Sequence, residues 1–338
     1  MSSFVDLLNK ISEEINLIVG IMFFFLGLIG NLLNIFIFSP ILKTELFPPN
    51  PSRLYILTGS IANTIFIIYL LLTRILISGF SMPLTNTITF ICKTRFYIGQ
   101  VCMYTSLYTT CLATIDQYFL TNRSVGIRRL SRLSFAKILL FSLLSLWILM
   151  NVPILFIYNL YPKNNGISTV CTVYSPIWTF YYTYIQSLMF LCIIPLVILI
   201  VFGFLIKFNL ESVRQLHPSI IRQMTRMILF QSIVMSISLL IATTQIIYQE
   251  ITKNISKDLL RSSQENLFNT IANLLTYVNY IGSFYIYFYS SKSIRRNIRN
   301  LLFNRTMDSS THTTRDQTTL HELRNQIQPT LGNIREEK

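Results

Sequence analysis

The sequence has few charged residues and few of the groups on which soluble enzymes depend. Asp, Glu, Lys and Arg make up 12% of its 338 residues, about half the fraction that soluble domains carry. Only three histidines occur, whereas 52% of the residues are apolar. These proportions disfavour a water-soluble enzyme and suit a membrane protein.

Seven long stretches are uncharged or nearly so. Each is long enough to cross a bilayer, which takes roughly 20 residues of helix. Because lipid offers no partner for backbone N–H and C=O groups, and a barrel strand needs only roughly 10 residues, we expect helices. The stretches are 16–38, 55–73, 96–115, 138–158, 181–206, 227–248 and 267–289. The sequence therefore predicts an all-α membrane protein, a bundle of seven transmembrane helices.

The basic residues indicate how the chain is oriented. The net charge is +14, but the basic residues lie between apolar stretches, so we expect no nucleic-acid partner. They concentrate in the connections that are cytoplasmic if the N-terminus is outside. We therefore predict a plasma-membrane protein with an extracellular N-terminus (1–15) and a seven-helix domain (16–290). An amphipathic helix (291–304) is expected to lie on the lipids of the inner leaflet, followed by a disordered cytoplasmic tail (305–338).

The outer side holds the candidates for covalent modification. Cys92 and Cys171 are the two cysteines that fall there, and we predict one disulfide that ties the long loop before the fifth helix over the mouth of the bundle. The other three, Cys102, Cys111 and Cys192, lie within helices and are expected to be apolar filler. A glycosylation sequon begins at Asn254.

A set of markers gives the chain a family resemblance. Asp116-Gln117-Tyr118 follows Cys92 by 24 residues at the inner end of the third helix. The chain here resembles the rhodopsin-like G-protein-coupled receptors, which place an outer Cys and an Asp/Glu-Arg-Tyr triplet at this spacing. Runs 50–55 and 222–227 are similar to invertebrate FMRFamide-type peptide receptors. Other family markers match Gly30, Asn31, Trp147 and Pro195.

The resemblance implies a function and a set of site residues. It implies an extracellular ligand, a neuropeptide, and a heterotrimeric G protein, with arrestin and a receptor kinase acting on the Ser- and Thr-rich tail; it implies no cofactor. Separately, the candidate ligand-binding residues are those expected at the outer cavity, namely Arg95, Gly99, Gln100, Tyr104, Tyr184 and Tyr248. The three tyrosines could instead belong to an aromatic belt at the membrane interface. The implied switch residues are Asp116, Gln117, Tyr118 and Tyr287. The implied polar core is Asn31, Asn63, Ser106, Asn279 and Ser283.

Some residues depart from the family pattern. Gln117 replaces the Arg that reaches the G protein, and Asn63 replaces an Asp, so we expect poor sodium affinity. Ser283-Phe284 replaces Asn-Pro in the seventh helix, and Leu239 replaces a Trp in the sixth. These changes keep an alternative open, namely an atypical receptor with weak or no G-protein coupling, or a dimer partner.

Charged residues near the helices allow two readings. Asp116 directly follows the third stretch and is the only acidic residue that adjoins any of the seven. Intramembrane carboxylates are by default functional, and we hypothesise that Asp116 holds the second inner loop, around Arg123, in the resting state. Arg74, Lys93 and Arg95 make the outer mouth basic, which suits an acidic ligand, although such residues also snorkel to the interface.

With no repeats and no second intramembrane acid, a transporter or an enzyme is disfavoured.

Overall fold

The computed structural model describes residues 2–39, 50–78, 80, 82, 84–162, 169–212, 219–252 and 255–302, most of them helical. Asn254 and the tail at 305–338 lie outside these residues. Two helices contain π-helical turns, at Ile67–Leu71 and Tyr181–Ile193. The long helices are α1 (Ser2–Phe38), α2 (Pro51–Phe66, Ile67–Leu71 and Leu72–Ser78), α3 (Thr89–Thr121), α4 (Leu133–Asn151), α5 (Pro176–Phe180, Tyr181–Ile193 and Ile194–Ser212), α6 (Ser219–Thr252), α7 (Leu259–Ile281 and Ser283–Ser290) and α8 (Lys292–Leu302).

Local sequence signals set several helix ends. Asn50 caps α2 by accepting a hydrogen bond from the Arg53 amide, and Pro51 occupies the first turn, where its missing N–H costs nothing. Asp258 caps α7 through the Arg261 amide. The helical turns of α4 end just before Pro153, which has no N–H to continue the ladder. The predicted fourth stretch, 138–158, is therefore broken into α4 and a short helix, Ile154–Ile157.

Within the described residues, five helical segments are long and apolar enough to cross a membrane. They are Phe4–Phe38, Pro51–Ile77, Leu133–Ile157, Pro176–Asn209 and Arg222–Thr252. Large apolar side chains point outward from them, as Phe141 and Leu149 do at 74% and 68% exposure, which is the arrangement expected of helices facing lipid. The prediction of a helical membrane protein agrees with this architecture.

The predicted stretches 96–115 and 267–289 fall in α3 and α7, which do not meet the same apolarity criterion. Both helices bury polar side chains against their neighbours. In α3 these include Thr105, Thr109, Thr114 and Thr121, and in α7 they include Ser263, Thr270, Asn279 and Ser283. α3 contacts α2, α4, α5 and α6, while α7 contacts α1 and α6. Their lower hydropathy thus reflects contacts with other helices.

A small hairpin departs from the all-helical prediction. Strands β1 (Asn159–Pro162) and β2 (Thr169–Thr172) pair antiparallel, with Leu160 opposite Cys171. The predicted disulfide is present: Cys92 and Cys171 have Cα atoms 5.8 Å apart and bonded sulfurs. It attaches the hairpin to the N-terminal end of α3. We call this end of the helices the Cys92 end and the opposite end the Asp116 end.

The described residues divide into two units, one that ends at Lys292 and one that begins at Ser293. A helix, α8, is present within 291–304, the range predicted to form an amphipathic helix. At the other end of the chain, α1 begins at Ser2, well before the predicted start of the first stretch at Asn16.

Candidate functional site

Asp116 is the centre of a buried hydrogen-bond network near the end of α3. Its side chain is 4% exposed. One carboxylate oxygen accepts a hydrogen bond from Ser52 Oγ at 2.5 Å, and the other accepts one from Ser131 Oγ at 2.5 Å. Ser52 begins α2 and Ser131 lies in the connection between α3 and α4. The carboxylate therefore joins three segments that are distant in sequence.

The partners of Asp116 differ from the hypothesis that involved Arg123. Arg123 is exposed, and among the described residues no Lys or Arg forms an ion pair with Asp116. Asp116 does contact the α3–α4 connection, but through a neutral hydroxyl group. A charged carboxylate accepting two hydroxyl groups makes stronger bonds than a neutral acceptor would.

Gln117 extends this network to α6. Its amide Nε2 donates to Ser52 Oγ at 2.7 Å, and its Oε1 accepts from Thr225 Oγ1 at 2.6 Å. Gln117 and Thr225 are fully buried. An amide has both a donor and an acceptor, whereas a guanidinium group has donors only. An Arg at this position would therefore have no acceptor for the Thr225 hydroxyl. We call Ser131, Asp116, Ser52, Gln117 and Thr225 the Asp116 network.

Other contacts close the same end of the molecule. Arg53 donates from Nε to the Phe38 carbonyl at 3.0 Å and from Nη2 to the Ser39 carbonyl at 2.7 Å, which satisfies carbonyl groups at the C-terminus of α1. Ser291 Oγ, just after α7, donates to Gln223 Oε1 of α6 at 3.1 Å. The Asp116 ends of α1, α2, α6 and α7 are thus joined by polar contacts.

The other two predicted switch residues lie near this network. The Tyr118 ring centroid is 5.4 Å from that of Phe202 in α5, in an edge arrangement. Tyr287 is buried, and its ring meets the Phe38 edge with centroids 6.1 Å apart.

The predicted polar core is only partly brought together. Asn63, Ser106 and Ser283 line a cavity of about 20 Å³, the size of a single water molecule. Asn31 lies elsewhere and donates to the Gly27 and Tyr280 carbonyls, each at 2.8 Å. Asn279 is buried but does not line this cavity. No carboxylate lines the cavity, so the residues present offer no charged ligand for sodium.

The predicted ligand-binding residues on α3 are packed against neighbouring helices. Gly99 lies against Leu70, whose side chain comes within 2.5 Å of where a Cβ would be, so a larger residue here would require Leu70 to move. Gln100 bonds to the Tyr182 hydroxyl. Tyr104 is fully buried, stacks on Trp147 with centroids 4.6 Å apart and donates to the Gln186 carbonyl at 2.7 Å.

The remaining predicted ligand residues lie in separate places. The Tyr184 hydroxyl donates to Glu250 at 2.9 Å and lines a groove of about 240 Å³ between α5 and α6. Tyr248 donates to Glu265 at 2.8 Å and lines a groove of about 620 Å³ between α6 and α7. Arg95 lies beside α2. The structure therefore does not bring the six residues together around one cavity.

Sequence reasoning missed the groups that complete these contacts. Ser52, Ser131 and Thr225 carry no sequence signal, because hydroxyl residues are common throughout the chain. At the Cys92 end it also missed an ion cluster in which Glu265 accepts from Lys257 at 2.5 Å and pairs with Arg261 at 3.1 Å. The Lys257 hydrogen bond lowers the pKa of Glu265.

No protein-family model matches the chain, and no curated protein matches it.

Proposed function

We propose that this chain is a seven-helix receptor of the rhodopsin-like kind. It binds an extracellular ligand, a peptide by its resemblance, at the Cys92 end and acts on a heterotrimeric G protein at the Asp116 end. Five apolar helices, two helices with buried polar faces and a disulfide-held hairpin support this proposal. The proposal places α3 and α7 across the plasma membrane, with the N-terminus outside and the C-terminus in the cytosol.

The observation that carries the proposal is the Asp116 network. It joins α2, α3, the α3–α4 connection and α6 at one end, where opening would expose an inner surface to a partner. A receptor changes state because a ligand binds one arrangement of its helices better than another. A neutral hydrogen bond contributes about 1 kcal/mol, and a bond to a charged group about 1.5–3 kcal/mol. Such a network is strong enough to favour the closed arrangement and weak enough to be opened by a ligand.

The Thr225 to Gln117 bond gives the sharpest test. Thr225→Val removes the hydroxyl with little change of shape, and a loss of about 1 kcal/mol raises the open fraction about fivefold. We expect ligand-free nucleotide exchange, measured on a panel of G proteins with the receptor in nanodiscs, to rise by up to about that factor. Thr64→Val is the control, because the Thr64 hydroxyl bonds only to Ser60 of its own helix.

Gln117 favours the second candidate, a receptor that does not couple. Gln117→Arg removes the acceptor for Thr225 and restores a cation beside Asp116, and we expect it to raise exchange as well. If wild type, Thr225→Val and Gln117→Arg all fail to stimulate any G protein in the panel, the coupling proposal is wrong and the noncoupling candidate replaces it.

A further inference from the structure

Two guanidinium groups meet at the Cys92 end of α2 and α3. Arg95 of α3 donates from Nε to Thr73 Oγ1 at 2.8 Å. Thr73 directly precedes Arg74, so Arg95 contacts the same turn of α2 that carries Arg74. Both side chains are half-buried.

The groups around these two cations are neutral. Arg74 donates from Nε and Nη2 to Asn16 Oδ1 of α1, at 3.2 and 3.1 Å, and its guanidinium lies 5.7 Å from the ring centroid of Tyr277. Arg95 lies 5.8 Å from the Phe96 ring centroid. In the part of the chain that the structure describes, neither guanidinium pairs with a carboxylate.

Three of the carboxylates at this end have partners other than Arg74 and Arg95. Glu14 lies 3.9 Å from Lys10, and Glu265 contacts Lys257 and Arg261. Asp258 caps α7. Two half-buried cations side by side without a counterion are unfavourable, because each loses hydration and each repels the other.

Snorkelling does not account for this geometry. A snorkelling Arg extends its charged group away from the protein to the membrane surface, whereas Arg74 and Arg95 turn toward α1, α7 and α2. Their planar groups carry several N–H donors, the arrangement that binds carboxylate and phosphate oxygens best.

We propose that Arg74 and Arg95 form a binding site for an oxyanion, a carboxylate or phosphate group. The assignment to an extracellular ligand rests on the proposed function. Asn16 and Thr73 position the two guanidinium groups, and the Tyr277 ring forms a wall of the site.

The test uses the full chain, purified in a maltoside detergent that carries no phosphate. The unfolding midpoint is measured against added succinate or inorganic phosphate, with ionic strength held constant by chloride. We expect a saturable rise, because a ligand that binds the folded state stabilises it by mass action. Loss of one cation should weaken the apparent affinity about tenfold or more in Arg74→Gln and in Arg95→Gln. Arg95→Lys, which retains the charge, should bind better than Arg95→Gln, and the exposed Lys10→Gln serves as the control.

Additional conditions in the same experiment distinguish a lipid headgroup from a soluble anion. They also distinguish failure of the anion site from failure of the proposed G-protein coupling. A rise caused by phosphatidylglycerol in the micelles, with no soluble anion, would assign the site to a lipid headgroup. No rise with any probe, or an equal rise in both Arg→Gln variants, would overturn the site. Nucleotide exchange by Thr225→Val does not involve these residues. Exchange without anion binding therefore rejects only the anion site, and anion binding without exchange rejects only G-protein coupling.

Discussion

Asp116 accepts hydrogen bonds from two segments, and its removal should loosen one of them. Asp116→Ala leaves the Ser131 hydroxyl without its acceptor, and a bond to a charged group contributes about 1.5–3 kcal/mol. We expect the backbone amides of the α3–α4 connection, around Val125–Arg128, to exchange hydrogen for deuterium faster than in wild type. Mass spectrometry of the purified chain measures this directly.

Two control variants distinguish the effect of the Asp116 charge from the effect of removing a carboxylate elsewhere in the protein. Asp116→Asn keeps one oxygen acceptor and should give an intermediate rate. Asp258→Ala removes a cap at the far end of α7 and should leave the connection unchanged. If the connection exchanges equally in Asp116→Ala and wild type, Asp116 does not hold it.

For single residues, the sequence predicted where a site lies but not which side chains contact one another there. Asp116 was predictable because it is the only acidic residue that adjoins an apolar stretch. Its partners were not, because Ser52, Ser131 and Thr225 belong to separate segments, and only the packing of the helices brings them together. Gln117, interpreted from the sequence as the loss of a cation, is in the structure a donor and an acceptor that joins α2 to α6.

Among the helices, α5 has the most unusual geometry. Its π-helical turns at Tyr181–Ile193 face two tyrosines of α3. Tyr104 donates to the Gln186 carbonyl at 2.7 Å, and Tyr108 donates to the Phe190 carbonyl at 2.8 Å. Both pairs are four residues apart, so the two bonds follow one face of each helix. π-helical turns are rare and need contacts that compensate for their poorer packing.

Removal of both hydroxyl groups should destabilise this contact between α3 and α5. We expect the double variant Tyr104→Phe, Tyr108→Phe to lose about 1 kcal/mol per bond and to unfold at a lower temperature than wild type. Tyr97→Phe on the same helix is the control, because its hydroxyl has no hydrogen-bond partner among the described residues. Equal midpoints for the double variant and the control would contradict this role.

Helix positions were more predictable than helix rotations. The apolar stretches located the helices, and the disulfide followed from the two cysteines on the outer side. The predicted ligand residues were not gathered into one cavity, because periodicity does not fix which face of a helix meets which neighbour. Of the predicted ligand residues, Gly99 lies against Leu70 and Tyr104 stacks on Trp147.

For the whole molecule, hydropathy alone supports five crossings, and the proposal requires seven. The difference lies in α3 and α7, whose polar side chains are buried against neighbouring helices and need not face lipid. The account therefore depends on those two helices crossing the membrane together with the other five, which places the Asp116 network inside the cell and Arg74 and Arg95 outside.

Cysteine labelling with a membrane-impermeant maleimide tests this claim most directly. The variants Glu13→Cys, Ser124→Cys, Ser256→Cys and Arg296→Cys each place a thiol at an exposed position, while the three free native cysteines are buried. We predict that Glu13→Cys and Ser256→Cys react in intact cells, and that Ser124→Cys and Arg296→Cys react only after permeabilisation. Labelling of Ser124→Cys from the same side as Glu13→Cys would show that α3 does not cross the membrane. Labelling of Arg296→Cys from the same side as Ser256→Cys would show the same for α7. Either result would contradict the account.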